Sequence, residues 1–101
     1  MKHSIVEAIQ HSIKVKTDIL ADVDLLGTME QVAAEVINCY RKNGKVLFCG
    51  NGGSAADAQH MAAELSGRFY YDRPPLYAEA LHVNTSYLTA VANDYSFDEV
   101  Y

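Results

Sequence analysis

Val46-Leu47-Phe48-Cys49-Gly50-Asn51-Gly52-Gly53-Ser54-Ala55-Ala56-Asp57-Ala58-Gln59-His60 is the stretch that decides how this chain folds. Val46 to Cys49 is an unbroken apolar run bounded by Gly44 and Gly50. A short run of that kind suits a strand buried on both faces, as in a parallel sheet. Gly50 to Ser54 is a loop by composition, and Ser54 to about Ser66 is Ala-rich and helical. The order is therefore strand, glycine loop, helix. Ligands of open α/β sheets bind at the carboxyl ends of strands, which is where this loop lies. Its glycines let the backbone adopt positive φ and approach a ligand closely. Asn51 and Ser54 add short polar groups, and Ser54 is a suitable N-cap. The free N–H groups at the start of the helix suit an anion.

Two nucleotide readings of this loop fail on neighbouring residues. Gly50-x-Gly52-x-x-Ala55 has the outline of a dinucleotide fingerprint, which also wants an acidic residue at the end of the second strand. That strand ends His82-Val83-Asn84, with Glu79 near its start. No Gly-Lys-Ser/Thr follows at P-loop spacing.

Working outward, Ile5, Ile9, Ile13 and Leu20 place an apolar stripe on a first helix, from Ser4 to about Leu20. A turn is expected at 22–27. Thr28-Met29-Glu30-Gln31 then fits a capping box, followed by apolar positions from Met29 to Tyr40 and a left-handed C-cap at Asn43-Gly44. Residues 1–43 thus read as a helical hairpin, and 44–101 as the start of an α/β core in the same single domain. Beyond the first block, 70–75 is a loop around two prolines. Ala78 to Val83 is a candidate second strand, and Thr85 or Ser86 caps a helix to about Asn93. Strand, loop, helix, strand, helix is the α/β pattern. Ser96-Phe97-Asp98-Glu99 announces a further helix just before Tyr101. Two strands do little to close such a core, so the domain is expected to be incomplete here.

Composition narrows the function classes. Half of the 101 residues are apolar, enough for one small domain. The net charge is −5, from 13 acidic and 8 basic residues, and the basic ones are scattered, so no nucleic-acid footprint is present. No run is long and apolar enough for a membrane span or a signal peptide, so a cytoplasmic protein is expected. Cys39 and Cys49 sit in apolar surroundings outside any CxxC and are expected to be buried free thiols.

The helix after the glycine loop has two faces. Ala55, Ala58, Ala62, Ala63, Leu65 and Ser66 form a small-residue side suited to close packing on a sheet. Asp57, His60, Glu64 and Arg68 form a polar strip opposite. His60 and Glu64 stand four residues apart, so both can aim at one point. One reading makes the strip a solvated face with a Glu64–Arg68 ion pair. The other has His60 and Glu64 reach a metal or substrate held by the loop; imidazole and carboxylate are suitable zinc ligands, but two do not complete a site.

Phe48 to Arg68, read through as Phe-Cys-Gly-Asn-Gly-Gly-Ser-Ala-Ala-Asp-Ala-Gln-His-Met-Ala-Ala-Glu-Leu-Ser-Gly-Arg, closely resembles the phosphoheptose isomerase family of sugar isomerase (SIS) domains. Ala90-Val91-Ala92-Asn93-Asp94-Tyr95-Ser96-Phe97 matches a second block of that family. The resemblance implies a flavodoxin-like SIS fold, with a parallel sheet sandwiched by helices, in a homotetramer. It implies interconversion of sedoheptulose 7-phosphate and D-glycero-D-manno-heptose 7-phosphate, an entry step for lipopolysaccharide or another surface glycan. It also implies substrate contacts from Asn51, Gly52, Gly53, Ser54, Glu64, Asn93 and Asp94, zinc ligation by His60 and Glu64, and an acid/base role for Glu64. The family's second, Ser/Thr-rich phosphate loop and its late Gln and His fall outside residues 1–101, so the chain alone is expected to have little or no activity. The competing expectation is a non-catalytic SIS module that binds a sugar phosphate or a protein partner, as in the DnaA initiator-associating protein.

Overall fold

A computed structural model describes all of residues 1–101. The chain divides into two compact units, Met1–Ile37 and Asn38–Tyr101. The first is entirely helical. Helix α1 spans Lys2–Ala21 and α2 spans Val23–Arg41, so α2 continues across the division. One residue separates the helices. Asp22 has φ −92° and ψ 92°, which breaks the first helix, and its carboxylate accepts from the Leu25 N–H, which caps the second. The turn expected at 22–27 is therefore absent, and so is the Thr28 cap. Thr28 Oγ1 instead donates to the Asp24 carbonyl within the helix. The earlier carboxylate already satisfies an orphan N–H, so the later Thr lies inside a helix under way. Ile5, Ile9 and Ile13 do form a stripe, yet each is more than half exposed, and neither helix has a buried residue.

The end of α2 follows its local chemistry. Asn43 takes φ +57°, Gly44 N–H returns to the Cys39 carbonyl at 2.8 Å, and Asn43 N–H to the Tyr40 carbonyl at 3.0 Å. The left-handed cap expected at Asn43-Gly44 is thus formed, as a Schellman arrangement. Glycine is needed at 44 because a Cβ there would lie 2.9 Å from the Cys39 carbonyl oxygen as well as 2.6 Å from its Sγ.

In the second unit, strand β1 (Val46–Phe48) leads through helix α3 (Gly53–Ser66) to strand β2 (Ala78–Ala80), and then to helix α4 (Thr85–Asp94) and a 3-10 turn, Phe97–Glu99. The strands pair in parallel with Val46 opposite Ala78, Leu47 opposite Glu79 and Phe48 opposite Ala80. Helix α3 is the crossover that parallel pairing requires. The Leu81 N–H extends the ladder to the Phe48 carbonyl at 2.8 Å. Ala58 and Ala62 of α3 pack on Ala78 and Ala80, with Phe48 and Leu65 alongside. Small side chains let helix and sheet approach closely.

Several sequence expectations are corrected here. The strands are shorter than read, three residues each. Only one face of the pair is covered, since Leu47 is 45% exposed. Of the small-residue side of α3, Ala58 and Ala62 are buried, while Ala63 and Ser66 face outward. Helix α4 is capped by the Asn84 side chain, which accepts from the Tyr87 N–H, and not by Thr85 or Ser86. Ser96 opens only a single 3-10 turn, with no side-chain cap bond. Both cysteines are free, but Cys49 is exposed and Cys39 half-buried, its thiol donating to the Lys45 carbonyl.

Candidate functional site

The glycine loop turns directly into α3. Gly52 holds φ +58° and ψ −122°, a conformation that favours glycine, and it occupies the N-cap position. Ser54 is thus a residue of the first turn and not the cap. Gly50 is needed for a different reason: a Cβ there would lie 2.7 Å from the backbone and side chain of Ser54. The loop closes on itself, with Ser54 N–H donating to the Asn51 carbonyl and the Ala55 and Ala56 N–H groups to that of Gly52. The N–H groups of Asn51, Gly52 and Gly53 have no acceptor in the chain.

Beside the loop is an open hollow of about 370 Å³, lined among others by Asn51, Gly52, His82, Phe97 and Tyr101. Tyr101 donates its hydroxyl to the Gly50 carbonyl at 2.9 Å. That bond ties the end of the chain to the start of the loop. His82 follows β2, and its Nδ1 is buried without a partner. Neither Tyr101 nor His82 is singled out by the sequence: Tyr101 is placed by a bond to a residue far along the chain, and the burial of His82 Nδ1 follows no local pattern.

On α3, His60 Nε2 and Glu64 Oε1 are 3.2 Å apart. Glu64 is about two-thirds buried and His60 mostly exposed. The Glu64–Arg68 ion pair of the solvated reading is not formed. Helix α3 ends at Ser66, which carries Arg68 off the strip and toward Asp72, 3.9 Å away. Two donors sharing one tetrahedral zinc would stand about 3.3–3.5 Å apart, from bonds of ~2.0–2.2 Å. The His60–Glu64 spacing of 3.2 Å lies just below that range and is also that of a direct pair. No group of three potential metal ligands occurs in the chain, so these residues fit as two members of a ligand set and not as a whole one.

At the end of α4, Asn93 Nδ2 donates to Asp94 Oδ1 at 3.1 Å, and both residues are exposed. The predicted site residues therefore fall into three groups: Asn51, Gly52, Gly53 and Ser54 at the start of α3, His60 with Glu64 further along it, and Asn93 with Asp94 on α4. No hydrogen bond or ion pair joins one group to another.

A residue missed in the sequence is Arg73. Its guanidinium donates through Nη2 to the Glu64 carbonyl at 3.0 Å and through Nη1 to those of Leu65, Gly67 and Pro74 at 3.0, 3.2 and 3.2 Å. Its acceptors are mostly carbonyls six to nine residues earlier, a relation that no periodicity reveals.

Residues 4–101 match the family described as the SIS domain. The chain is 56% identical over 95 residues to a phosphoheptose isomerase of Mycobacterium tuberculosis, covering 94% of this chain and 48% of that protein. It is 54% identical over 93 residues to one of Aneurinibacillus thermoaerophilus, covering 92% and 47%. Among solved structures, the phosphoheptose isomerase GmhA of Neisseria gonorrhoeae superposes with a TM-score of 0.85 at 41% identity, over 98% of this chain and 50% of that one. The chain spans about half the length of the curated relatives it matches. No helix is long and apolar enough to cross a membrane.

Proposed function

The chain belongs to the SIS domain family, and from that premise we propose that it supplies one part of a phosphoheptose isomerase, interconverting sedoheptulose 7-phosphate and D-glycero-D-manno-heptose 7-phosphate for heptose in a surface glycan. The observation that carries the reading is the His60–Glu64 pair, 3.2 Å apart on the helix that the glycine loop opens. It gains weight from relatives more than 50% identical that carry the isomerase name.

Aldose–ketose exchange moves a proton between C1 and C2 through an enediolate. A carboxylate within hydrogen-bond reach of both carbons serves as the shuttling group. Glu64 takes that role, and partial burial shields it from bulk water while His60 restrains its rotation. The unpaired N–H groups of Asn51, Gly52 and Gly53, with the dipole of α3 behind them, attract the anionic end of the substrate. Ser54 lies beside them, and Asn93 and Asp94 offer a donor and acceptors to sugar hydroxyls. His60 and Glu64 would hold zinc together with residues outside this chain, and the ion would supply Lewis-acid stabilisation of the enediolate oxygens. The remaining half of the isomerase contributes the other ligands and acid/base group. The complete protein works in the cytoplasm as a homotetramer, with no nucleic-acid or membrane partner, and the exposed stripes of α1 and α2 provide apolar surface for association.

Glu64→Gln in the full-length isomerase tests this directly. The amide keeps the shape and removes the base, so kcat should fall by at least about a hundredfold while sugar-phosphate binding persists. Near-normal turnover would remove Glu64 from its role. Binding without turnover in the unsubstituted protein would favour a non-catalytic SIS module.

A further inference from the structure

We propose that Arg73 is a positioning residue for Glu64, acting through the backbone of the last turn of α3; this rests on the reading above, in which Glu64 moves the proton. The last four carbonyls of an α-helix have no partner within it. In α3 they belong to residues 63–66, and Ala63 is satisfied by the Gly67 N–H at 2.8 Å. Arg73 takes the next two, Glu64 and Leu65, and the Gly67 carbonyl just beyond. The Leu65 carbonyl also receives the Leu76 N–H at 3.0 Å. The chain that leaves α3 thus folds back and closes the helix from which it came.

The geometry needs arginine. A planar guanidinium presents several N–H groups in a fixed fork, so one side chain bridges neighbouring carbonyls. The same cation faces the negative end of the helix dipole. Arg73 and the Glu64 carboxylate form no ion pair; that carboxylate turns to His60. The effect is therefore positional. Glu64 lies within the last turn, where helices fray, and a base must be held to within a fraction of an ångström to be efficient. Arg73 prevents the fraying at the residue whose placement matters, and Leu76 links the clamp to the chain entering β2.

The test compares Arg73→Ala, Arg73→Lys and Glu64→Gln in the full-length isomerase, with kcat, KM and the thermal midpoint measured for each. Lysine keeps a cation at the helix end, but its three N–H donors radiate from one nitrogen on a flexible stem and do not reproduce the fixed fork that places Nη2 on Glu64 and Nη1 on Leu65 and Gly67. Arg73→Ala should lower kcat by roughly tenfold to a hundredfold with KM within about twofold. Arg73→Lys should recover the thermal midpoint and leave kcat low. Recovery of kcat in step with stability would reduce Arg73 to a structural residue and overturn the proposal. Unchanged kcat in Arg73→Ala, with Glu64→Gln inactive, would overturn the clamp and leave the functional reading standing. An active Glu64→Gln would overturn both. Should Arg73→Ala fail to fold, Arg73→Lys alone decides.

Discussion

Tyr40 illustrates how single side chains hold the second unit together. Its hydroxyl donates to the Tyr77 carbonyl at 3.1 Å, at the point where the chain enters β2. Lys45 Nζ lies over the Tyr77 ring, 5.2 Å from its centroid. Burial pushes the Tyr40 hydroxyl above its ordinary value, the neighbouring Cys39 adds to the rise, and Arg73 opposes it. Only the neutral phenol can donate. A hydroxyl whose folded pKa is raised stabilises the fold below the unfolded tyrosine value of about 10 and loses that contribution as pH climbs through the folded value. Tyr40→Phe should therefore cost about 0.5–1 kcal/mol near neutrality. The gap between the two proteins should close above about pH 10 in thermal unfolding. A gap independent of pH would mean that the hydrogen bond is not what stabilises.

At the scale of elements, the junction of β1, loop and α3 is the most constrained part of the molecule. Gly50 and Ser54 are so close that a methyl group at 50 would overlap backbone atoms, which cannot swing aside as a flexible side chain would. Gly50→Ala is expected to destabilise the chain by about 1–3 kcal/mol, as overpacking does, and to displace the Gly50 carbonyl from Tyr101. Denaturant unfolding checks the first effect, and an unchanged midpoint would contradict it. Gly52→Ala meets open space but a backbone at φ +58°, so its strain is conformational and not steric.

Those same elements show what a sequence reveals. The glycine loop, the Ala-rich helix and the Asn43-Gly44 cap were legible because their chemistry is local, set by residues within one turn. The pairing of His60 with Glu64 was legible because helical spacing dictates it. The Thr28 cap misled because Asp22 competes for the same task a few residues earlier, and composition does not rank the two. Burial of Val46–Cys49 on both faces misled because burial depends on what packs from elsewhere. Arg73 and Tyr101 left no pattern, since their partners lie across a loop or at the far end of the unit, and the burial of His82 depends on how the unit packs.

For the molecule as a whole, the surface is the telling quantity. The chain exposes 8302 Å². Its buried apolar residues are four alanines and Val100, which is a small core. Ile5, Ile9, Ile13, Met29 and Val32 are each more than half exposed. Relatives that match this chain are about twice its length. Under the proposed function, further polypeptide and sister subunits would cover that surface and would supply the further metal ligands.

The most direct measurement is turnover of sedoheptulose 7-phosphate with zinc added, on residues 1–101 and on a longer polypeptide that continues them to the length of the relatives. Activity is expected in the longer form alone. A longer form that binds the sugar phosphate and does not turn it over would contradict it.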